Sequence, residues 1–245
     1  MEEKNLQLVG HLEELRKRII ITLLSFVAFL IGGFVFVRPI YRWLIKDLDA
    51  KLAVLGPGDI LWVYLMIAAV IALAATIPVA AFQVWLFVKP ALNQEERKVT
   101  LQFIPALFFL FLFGISFGYF LLFPLVLGFL TSLSDGQFEM MFTADKYFRF
   151  LLNLTVPFGL LFEMPLVIMF LTRLGILNPI RLKKARKIAY FILVVISVLI
   201  TPPDFLSDVL VIVPLFILYE ISISLSTIVY RRKLAAQNAE EKTVA

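Results

Sequence analysis

Six apolar segments constrain the fold of this chain more than any other feature of its sequence. A helix rises about 1.5 Å per residue, so about 20 apolar residues cross the roughly 30 Å hydrocarbon core of a bilayer. The 245 residues are 61% hydrophobic and 17% charged, a balance unlike that of soluble domains. The sequence therefore predicts an all-α integral membrane protein with six transmembrane helices, at about residues 19–37, 60–88, 101–131, 150–172, 188–200 and 206–228. Residues 1–233 are interpreted as a single membrane domain, and residues 234–245 as a disordered cytoplasmic tail.

The distribution of Lys and Arg predicts the orientation of these segments. All but six of the 23 basic residues lie in the N-terminal segment, the second and fourth loops and the C-terminal tail. Loops rich in Lys and Arg stay on the cytoplasmic side, so both termini are predicted to be cytoplasmic. This topology also accounts for the net charge of +5, and no nucleic-acid partner is expected. The six basic residues of the other loops are Arg38, Arg42, Lys46, Lys51, Lys146 and Arg149.

The fifth segment is too short for a full span. Only 13 residues separate Lys187 from Thr201, or about 20 Å of helix against a core of roughly 30 Å. The sequence Thr201-Pro202-Pro203-Asp204 then predicts a tight turn into the sixth segment. We therefore expect a short hairpin of the fifth and sixth helices that reaches only part of the way from the cytoplasmic side.

The third segment, in contrast, is longer than a span requires. Pro105 and Pro124 predict kinks within it. Gly114 and Gly118 have the GxxxG spacing of close helix contacts, although glycine is common in membrane helices and chance accounts for the spacing nearly as well. The segment is therefore expected to bend, and a tight contact at the two glycines is a weaker expectation.

Glu163 stands out because it lies near the middle of the fourth apolar segment. Ionisable groups at membrane depth are energetically expensive and mark functional sites. Pro157 and Pro165 flank it, and each removes an N–H donor, so a kink with freed carbonyl groups is expected. The sequence predicts a polar intramembrane site at Glu163. The alternative is a neutral acid that only hydrogen-bonds one of these carbonyl groups.

Three further polar residues lie within the apolar segments. Gln83 and Asn153 are predicted to bridge helices rather than to bind a substrate. Glu220 is a second intramembrane carboxylate, and the sequence is equally compatible with its facing a partner helix or pairing with a cation of the tail.

Catalytic chemistry finds little support in the sequence. There is no Walker loop, Rossmann glycine fingerprint, HExxH or GxSxG motif. His11 is the single histidine and the chain has no cysteine, so a His-based triad, a multi-His metal site and thiolate chemistry are excluded. We expect no enzyme activity, no cofactor and no metal; recognition and transport remain.

Two acidic clusters lie on the predicted cytoplasmic side. Glu14 can pair with Arg18 at the i,i+4 helix spacing, and Glu96 can form a capping box with Asn93 at the start of the third helix. Alternatively, the two carboxylates can each bind a guanidinium of a cationic peptide, where bidentate pairing favours Arg over Lys. Spacing alone leaves both interpretations open and slightly favours the structural one.

Several motifs, taken together, resemble the TatC family, the receptor subunit of the twin-arginine protein translocase. They occur in the family's order from residue 11 to residue 204, so the resemblance covers nearly the whole chain. The motifs are His11-Leu-Glu-Glu-Leu-Arg-Lys-Arg18, Tyr41, Phe82-Gln83-Val84-Trp85, Pro90-Ala91-Leu92, Glu96-Arg97, Phe123-Pro124-Leu125, Gly128-Phe129, Phe162-Glu163-Met164-Pro165 and Thr201-Pro202-Pro203-Asp204.

The resemblance implies roles for particular residues. Glu14 and Glu96 would form the site for the twin-arginine motif of signal peptides, with Arg16 and Arg97 shaping the same region. Glu163 would face a concave groove within the membrane. One departure is that the first outer loop lacks the proline that the family often has at about residues 43–46.

The resemblance also implies partners and a location. Thr201, Asp204 and Asp208 would lie where the single-span partners TatA and TatB dock, although Asp208 stands where the family often has an amide. The receptor would sit in the cytoplasmic (inner) membrane and self-associate. It would bind signal peptides of folded cargo, and the proton motive force would drive translocation.

Two alternatives from other classes stay open on the sequence. A proton-coupled secondary transporter for a small solute could use Glu163 and Glu220 as a proton relay. A purely structural membrane scaffold would make both acidic clusters replaceable. Solute uptake by vesicles without any partner chain would distinguish the transporter.

Overall fold

The structure is a computed structural model that describes residues 2–46, 48, 52–92, 94–133, 141–201 and 204–244. A 3-10 turn, Lys89–Ala91, joins α2 to α3, and a π-helical turn, Gly118–Leu122, joins α3 to α4. The α-helices of these residues are, in order, α1 (Glu2–Leu44), α2 (Pro57–Val88), α3 (Gln94–Phe117), α4 (Phe123–Ser132), α5 (Ala144–Phe162), α6 (Met164–Arg173), α7 (Pro179–Lys184), α8 (Arg186–Ile200) and α9 (Phe205–Val244).

Five helical stretches of the described residues are long and apolar enough to cross a membrane. The fifth predicted segment corresponds to α8, whose 15 residues give about 22 Å of helix, so it is short as expected. An all-helical membrane protein is confirmed, whereas the count of six spans and the orientation of the termini stay predictions. The five stretches are Gly10–Leu44, Pro57–Val88, Thr100–Ser132, Ala144–Arg173 and Phe205–Ala235.

The chain forms two compact units, which are described separately. The first comprises Met1–Phe109 and Met141–Leu152, and the second comprises Leu110–Met140 and Asn153–Ala245. The helices α3 and α5 each contribute to both units, because the boundaries fall inside them. That residues 1–233 act as one membrane domain stays a prediction.

The first unit is built on the pairing of α1 with α2. Gly33 permits the two helices to approach closely, since a Cβ there would lie 3.3 Å from the carbonyl oxygen of Ala68. Further along α1, the Tyr41 ring stacks on Phe148 with centroids 5.4 Å apart and meets the edge of Tyr64 at 5.7 Å. These aromatic contacts connect α1, α2 and the beginning of α5 within this unit.

Backbone hydrogen bonds connect the two long predicted outer loops. The Ala53 N–H donates to the Phe142 carbonyl oxygen at 2.9 Å, and the Ala144 N–H donates to the Ala53 carbonyl oxygen at 2.8 Å. Ala53 and Thr143 thereby form an isolated parallel bridge. The segment after α1 is therefore fixed to the start of α5.

The second unit is organised around α9, which packs against α6, α7 and α8. Val211, Leu215 and Ile223 of α9 are buried. The hydroxyl oxygens of Thr172 in α6 and Ser226 in α9 lie 2.7 Å apart in a buried hydrogen bond. A polar contact of this kind within an apolar helix pair fixes the position of one helix along the other.

The glycine pair of α3 and the π turn makes the close contact that its spacing indicates. A Cβ at Gly114 would lie 2.6 Å from the Phe158 carbonyl oxygen, and a Cβ at Gly118 would lie 2.8 Å from Thr155 Cα. Real Cβ atoms do not approach backbone atoms this closely, so only glycine allows α5 to pack here. The GxxxG interpretation is confirmed.

The α-helical pattern of the third segment changes next to one of its two prolines and continues through the other. Pro124 is the second residue of α4, and the π-helical turn Gly118–Leu122 precedes it directly. Proline has no N–H to continue the α-helical hydrogen-bond pattern, and the π turn accommodates this loss. Pro105, by contrast, lies inside α3, which continues through it.

The fourth segment is interrupted at Glu163. It consists of α5, a turn at Glu163 and α6, with Pro165 as the second residue of α6. Pro157 lies inside α5, so the interruption coincides with one of the two flanking prolines. Proline is favoured in the first turn of a helix because its missing N–H has no partner there anyway.

The C-terminal helix is longer than the sixth predicted segment. α9 continues to Val244 and so includes residues 234–244, for which the sequence predicted a disordered tail. These residues include Ala, Leu, Gln, Glu and Lys, which are strong helix formers, and neither Gly nor Pro. Local helix propensity therefore explains the difference.

Candidate functional site

Glu14, Arg18 and Gln83 form one hydrogen-bonded cluster, called here the Glu14 cluster. Arg18 Nη2 donates to Glu14 Oε1 at 3.0 Å, and Arg18 Nη1 donates to Gln83 Oε1 at 3.2 Å. Gln83 is buried, whereas the side chains of Glu14 and Arg18 are 33% and 23% exposed. The expected i,i+4 pair and the expected helix-bridging role of Gln83 are both present. The sequence did not show that one guanidinium makes both contacts.

One of the remaining N–H donors of Arg18 is unusual. Its Nε is buried and has no hydrogen-bond partner among the described residues. Leaving a buried donor unpaired costs about 1–3 kcal/mol, and more for a charged group. The Glu14 cluster therefore combines a carboxylate that is half-buried with a guanidinium that is incompletely satisfied, an arrangement that suits an exchange of polar partners.

Arg16 does not belong to the Glu14 cluster. It is exposed, and it lies two positions from Glu14 on α1. Residues at i and i+2 point to different sides of a helix. The structure therefore gives Arg16 no direct contact with Glu14, and a role for it in shaping the site stays a prediction.

Arg97 stabilises the connection between α2 and α3. Its Nε donates to the carbonyl oxygens of Lys89 and Leu92, at 3.2 Å and 3.1 Å. These carbonyls belong to the 3-10 turn and the residue after it, so Arg97 fixes the entry into α3. Glu96 lies in the first turn of α3, but its side chain and the whole of Asn93 lie outside the described residues.

Glu163 lies in the turn between α5 and α6. Its N–H donates to the Leu160 carbonyl oxygen at 3.2 Å, and its own carbonyl oxygen accepts from Leu166 and Val167, each at 3.0 Å. The side-chain Oε1 is buried without a hydrogen-bond partner among the described residues. The polar intramembrane site at Glu163 and the alternative, a neutral acid that hydrogen-bonds a freed carbonyl group, both stay predictions.

Thr201, at the end of α8, is in contact with Asp208 of α9, whereas Pro202 and Pro203 of the predicted turn lie outside the described residues. Thr201 Oγ1 donates to Asp208 Oδ1 and also lies 2.9 Å from the Ser197 carbonyl oxygen, so its one hydrogen serves either acceptor. Ser197 Oγ donates to the Asp208 carbonyl oxygen at 3.2 Å. Two of the three predicted docking residues therefore form one polar cluster.

Asp204, the third predicted docking residue, caps α9. Its Oδ1 accepts from the Ser207 N–H at 2.7 Å, the usual geometry of an aspartate N-cap. Its Oδ2 is buried and has no partner within the described part of the chain. Capping is thus one established contact of Asp204, and a docking role would use the second oxygen.

Glu220 has partners that the sequence did not identify. Arg186 Nη2 donates to Glu220 Oε2 at 2.7 Å, and the Tyr190 hydroxyl donates to Oε1 at 2.6 Å. The cation comes from the start of α8 and not from the tail, so a pair with a tail cation, one of the two predicted arrangements, is wrong. A distance of 34 residues separates Arg186 from Glu220, so no local pattern could reveal the pair.

Asn153, which the sequence predicts to bridge helices, has an exposed side chain.

The chain resembles proteins of one family over nearly its whole length. The model of the family described as Sec-independent protein translocase protein (TatC) matches residues 10–214. TatCd of Bacillus subtilis (strain 168) is 65% identical to the chain over 98% of it and 99% of the relative. TatC of Halalkalibacterium halodurans is 42% identical, with 98% of each chain covered.

A solved structure agrees with these relatives. A crystal structure of the twin arginine translocase receptor TatC superimposes with a TM-score of 0.79 at 33% identity, covering 89% of this chain and 99% of the other. The family consists of protein-translocase components and is not a known enzyme family. The chain therefore belongs to the TatC family and is a multi-pass inner-membrane component of the Sec-independent, twin-arginine protein translocase.

Proposed function

We propose that this chain is the receptor of its translocase and that Glu14 and Glu96 bind the two arginines of a twin-arginine signal peptide. The observation that carries the proposal is the state of the Glu14 carboxylate. Arg18 holds Oε1, and no described residue donates to Oε2. A peptide guanidinium can thus bind Oε2 of a carboxylate whose orientation is already fixed.

Partial burial supports this role for Glu14. A fully exposed ion pair contributes only about 0–1 kcal/mol, whereas desolvated or bidentate pairs with Arg are stronger and more selective. Glu14 is one-third exposed, and its partner Arg18 is anchored to the buried Gln83. This partly desolvated environment favours Arg over Lys in the peptide, because a guanidinium is more weakly hydrated than an ammonium.

Glu163 is proposed to receive the apolar part of the signal peptide within the membrane. Its Oε1 is buried without a partner among the described residues, and the turn between α5 and α6 places it amid apolar surroundings. We propose that it hydrates a concave groove and orients an incoming helix. A proton-coupled solute transporter based on Glu163 is not favoured, since the family is one of protein translocases.

Partner recognition is proposed for three polar residues at the end of α8 and the start of α9. Thr201, Asp204 and Asp208 offer polar groups at the end of a short helix, where TatA-type and TatB-type single-span proteins would dock. In this proposal the chain has six transmembrane spans, and both termini are cytoplasmic. It associates with further copies of itself, and the proton motive force drives the transport of folded cargo.

Photocrosslinking of a signal peptide to the full chain in membranes tests the receptor proposal. Crosslinks from Arg-Arg and Lys-Lys peptides are compared for wild type, Glu14→Gln and Glu96→Gln. Glu13→Gln is the matched control, because Glu13 is an exposed neighbour on the same helix. We expect Arg-Arg crosslinks that each of the first two substitutions abolishes and that the control retains. If neither substitution changes the yield of Arg-Arg crosslinks, and both variants elute in size-exclusion chromatography like the folded wild type, the proposal is wrong.

A further inference from the structure

We infer that a cavity at the ends of α6 and α9 binds a phosphate-bearing anion, and that the phosphodiester headgroup of an anionic membrane lipid supplies it. The cavity has a volume of about 230 Å³. This is several times the roughly 30 Å³ that a water molecule occupies, so it admits a headgroup phosphate with part of its glycerol. Its polar walls come from Asn178, Arg181, Tyr230 and Lys233.

The charge of the cavity wall selects for an anion. Arg181 and Lys233 are its charged lining residues, and no carboxylate lines it within the described part of the chain. Lys233 Nζ donates to the Arg173 carbonyl oxygen at 2.9 Å, which fixes the ammonium at the wall and leaves two of its three hydrogens for a ligand. The Glu220 carboxylate lies 13 residues earlier on α9, about 20 Å along the helix, and is paired with Arg186.

A glycine keeps this ammonium accessible. Gly175 ends α6 with a φ of +79°, a conformation that other residues rarely adopt. A Cβ at this position would be in van der Waals contact with Lys233 Nζ, at 3.7 Å. The left-handed turn therefore requires glycine. Because glycine has no side chain, it also leaves one side of the Lys233 ammonium group uncovered, the side that faces the turn.

The position of the cavity favours a lipid over a free anion. The apolar stretches Ala144–Arg173 and Phe205–Ala235 end beside it, which is the depth at which lipid headgroups meet the hydrocarbon core. Ile176 and Leu234 line the cavity and are 61% and 41% exposed. Acyl chains can cover these side chains while the phosphate binds the two cations, a combination that a free phosphate ion cannot provide.

The inference is independent of the proposed signal-peptide site, and lipid retention tests it. The full-length protein is placed in phosphatidylcholine nanodiscs that contain a minor fraction of phosphatidylglycerol, and native mass spectrometry counts the phosphatidylglycerol that stays bound. The cavity variant carries both Arg181→Gln and Lys233→Gln. The control variant carries both Lys183→Gln and Arg232→Gln. The control removes the same charge from exposed positions of the same two helices.

We expect the cavity variant to reduce bound phosphatidylglycerol about tenfold, since each cation near a membrane surface contributes several-fold to binding of anionic lipid. The control should change it less than twofold. Equal loss in both double variants, or no loss in the cavity variant, would overturn the inference. If inorganic phosphate or glycerol phosphate at matched concentration displaces the lipid, the bound phosphate group does not have to come from a lipid, and that part of the inference is wrong. The single variant Arg181→Gln, at an exposed side chain, provides the same test if the double variant does not fold.

Discussion

Arg18 Nη1 donates to Gln83 Oε1 at 3.2 Å, so this hydrogen bond joins α1 to α2 beside the Glu14 carboxylate. The same guanidinium holds Glu14 Oε1 at 3.0 Å. Glu14 is therefore oriented by a residue of its own helix that is itself anchored to a neighbouring helix. Arg18 is thus a positioning residue for the proposed peptide site, distinct from the carboxylates that would contact the peptide.

Replacing Arg18 with Lys should weaken binding of an Arg-Arg signal peptide about fivefold. Lysine keeps the charge, but it lacks the fork that reaches Glu14 and Gln83 together, and one hydrogen bond contributes about 1 kcal/mol. The measurement is the peptide concentration that gives half-maximal photocrosslinking. Lys17→Arg is the control, because Lys17 is exposed and adjacent in sequence. An unchanged half-maximal concentration in the Arg18→Lys variant would show that Arg18 does not position Glu14.

Much of this architecture is readable from local sequence, because the responsible signals lie within a few residues. The runs of apolar residues predicted the five described helical stretches that are long enough to cross a membrane, and the short fifth segment is visible in the distance from Lys187 to Thr201. The spacing of Gly114 and Gly118 indicated a close contact that the structure contains. Each of these features depends on helical periodicity or on the length that a bilayer demands, and both are properties of the chain alone.

Adding one methyl group at Gly114 should destabilise the second compact unit by about 1–3 kcal/mol. The Cβ of Gly114→Ala would lie 2.6 Å from the Phe158 carbonyl oxygen and 2.8 Å from Gly159 Cα, so α3 and α5 must separate. The free energy of unfolding in mixed micelles of increasing denaturing detergent content measures this loss.

Gly128→Ala is the matched control for the glycine contact. Gly128 lies in α4, and a Cβ there would meet nothing within 4 Å. Alanine is the better helix former by about 1 kcal/mol, so this variant should be as stable as the wild type or slightly more stable. If Gly114→Ala behaved like Gly128→Ala, the tight packing of the two helices would be contradicted.

Contacts between residues distant in sequence were not predictable. Glu220 pairs with Arg186 across 34 residues, and the sequence offered only a choice between a partner helix and a cation of the tail. Gln83 was expected to bridge helices, but its partner Arg18 lies 65 residues away and was not identified. Polar partners in a bundle depend on which helix faces meet, and that is set by packing of the whole chain.

Asp204→Asn should retain the stability of α9, whereas Asp204→Ala should lower the free energy of unfolding by about 1 kcal/mol. Asparagine keeps the side-chain oxygen that accepts from the Ser207 N–H at 2.7 Å, and alanine removes it. Crosslinking to a TatA-type partner then separates the two roles of Asp204. Loss of crosslinks in the stable Asn variant supports docking through the carboxylate, and crosslinks that fall only in the Ala variant would assign Asp204 to capping alone.

Glu163→Leu should leave the free energy of unfolding unchanged or raise it by about 1 kcal/mol, because the buried Oε1 of Glu163 has no partner among the described residues. The same change should reduce crosslinks from the apolar region of a bound signal peptide, while crosslinks near Glu14 persist. Glu163→Gln, which preserves size and hydrogen bonding, is expected to retain part of the deep crosslinks. A clear loss of stability in the Leu variant would assign Glu163 a structural role, and equal loss of deep and surface crosslinks would contradict separate roles for Glu163 and Glu14.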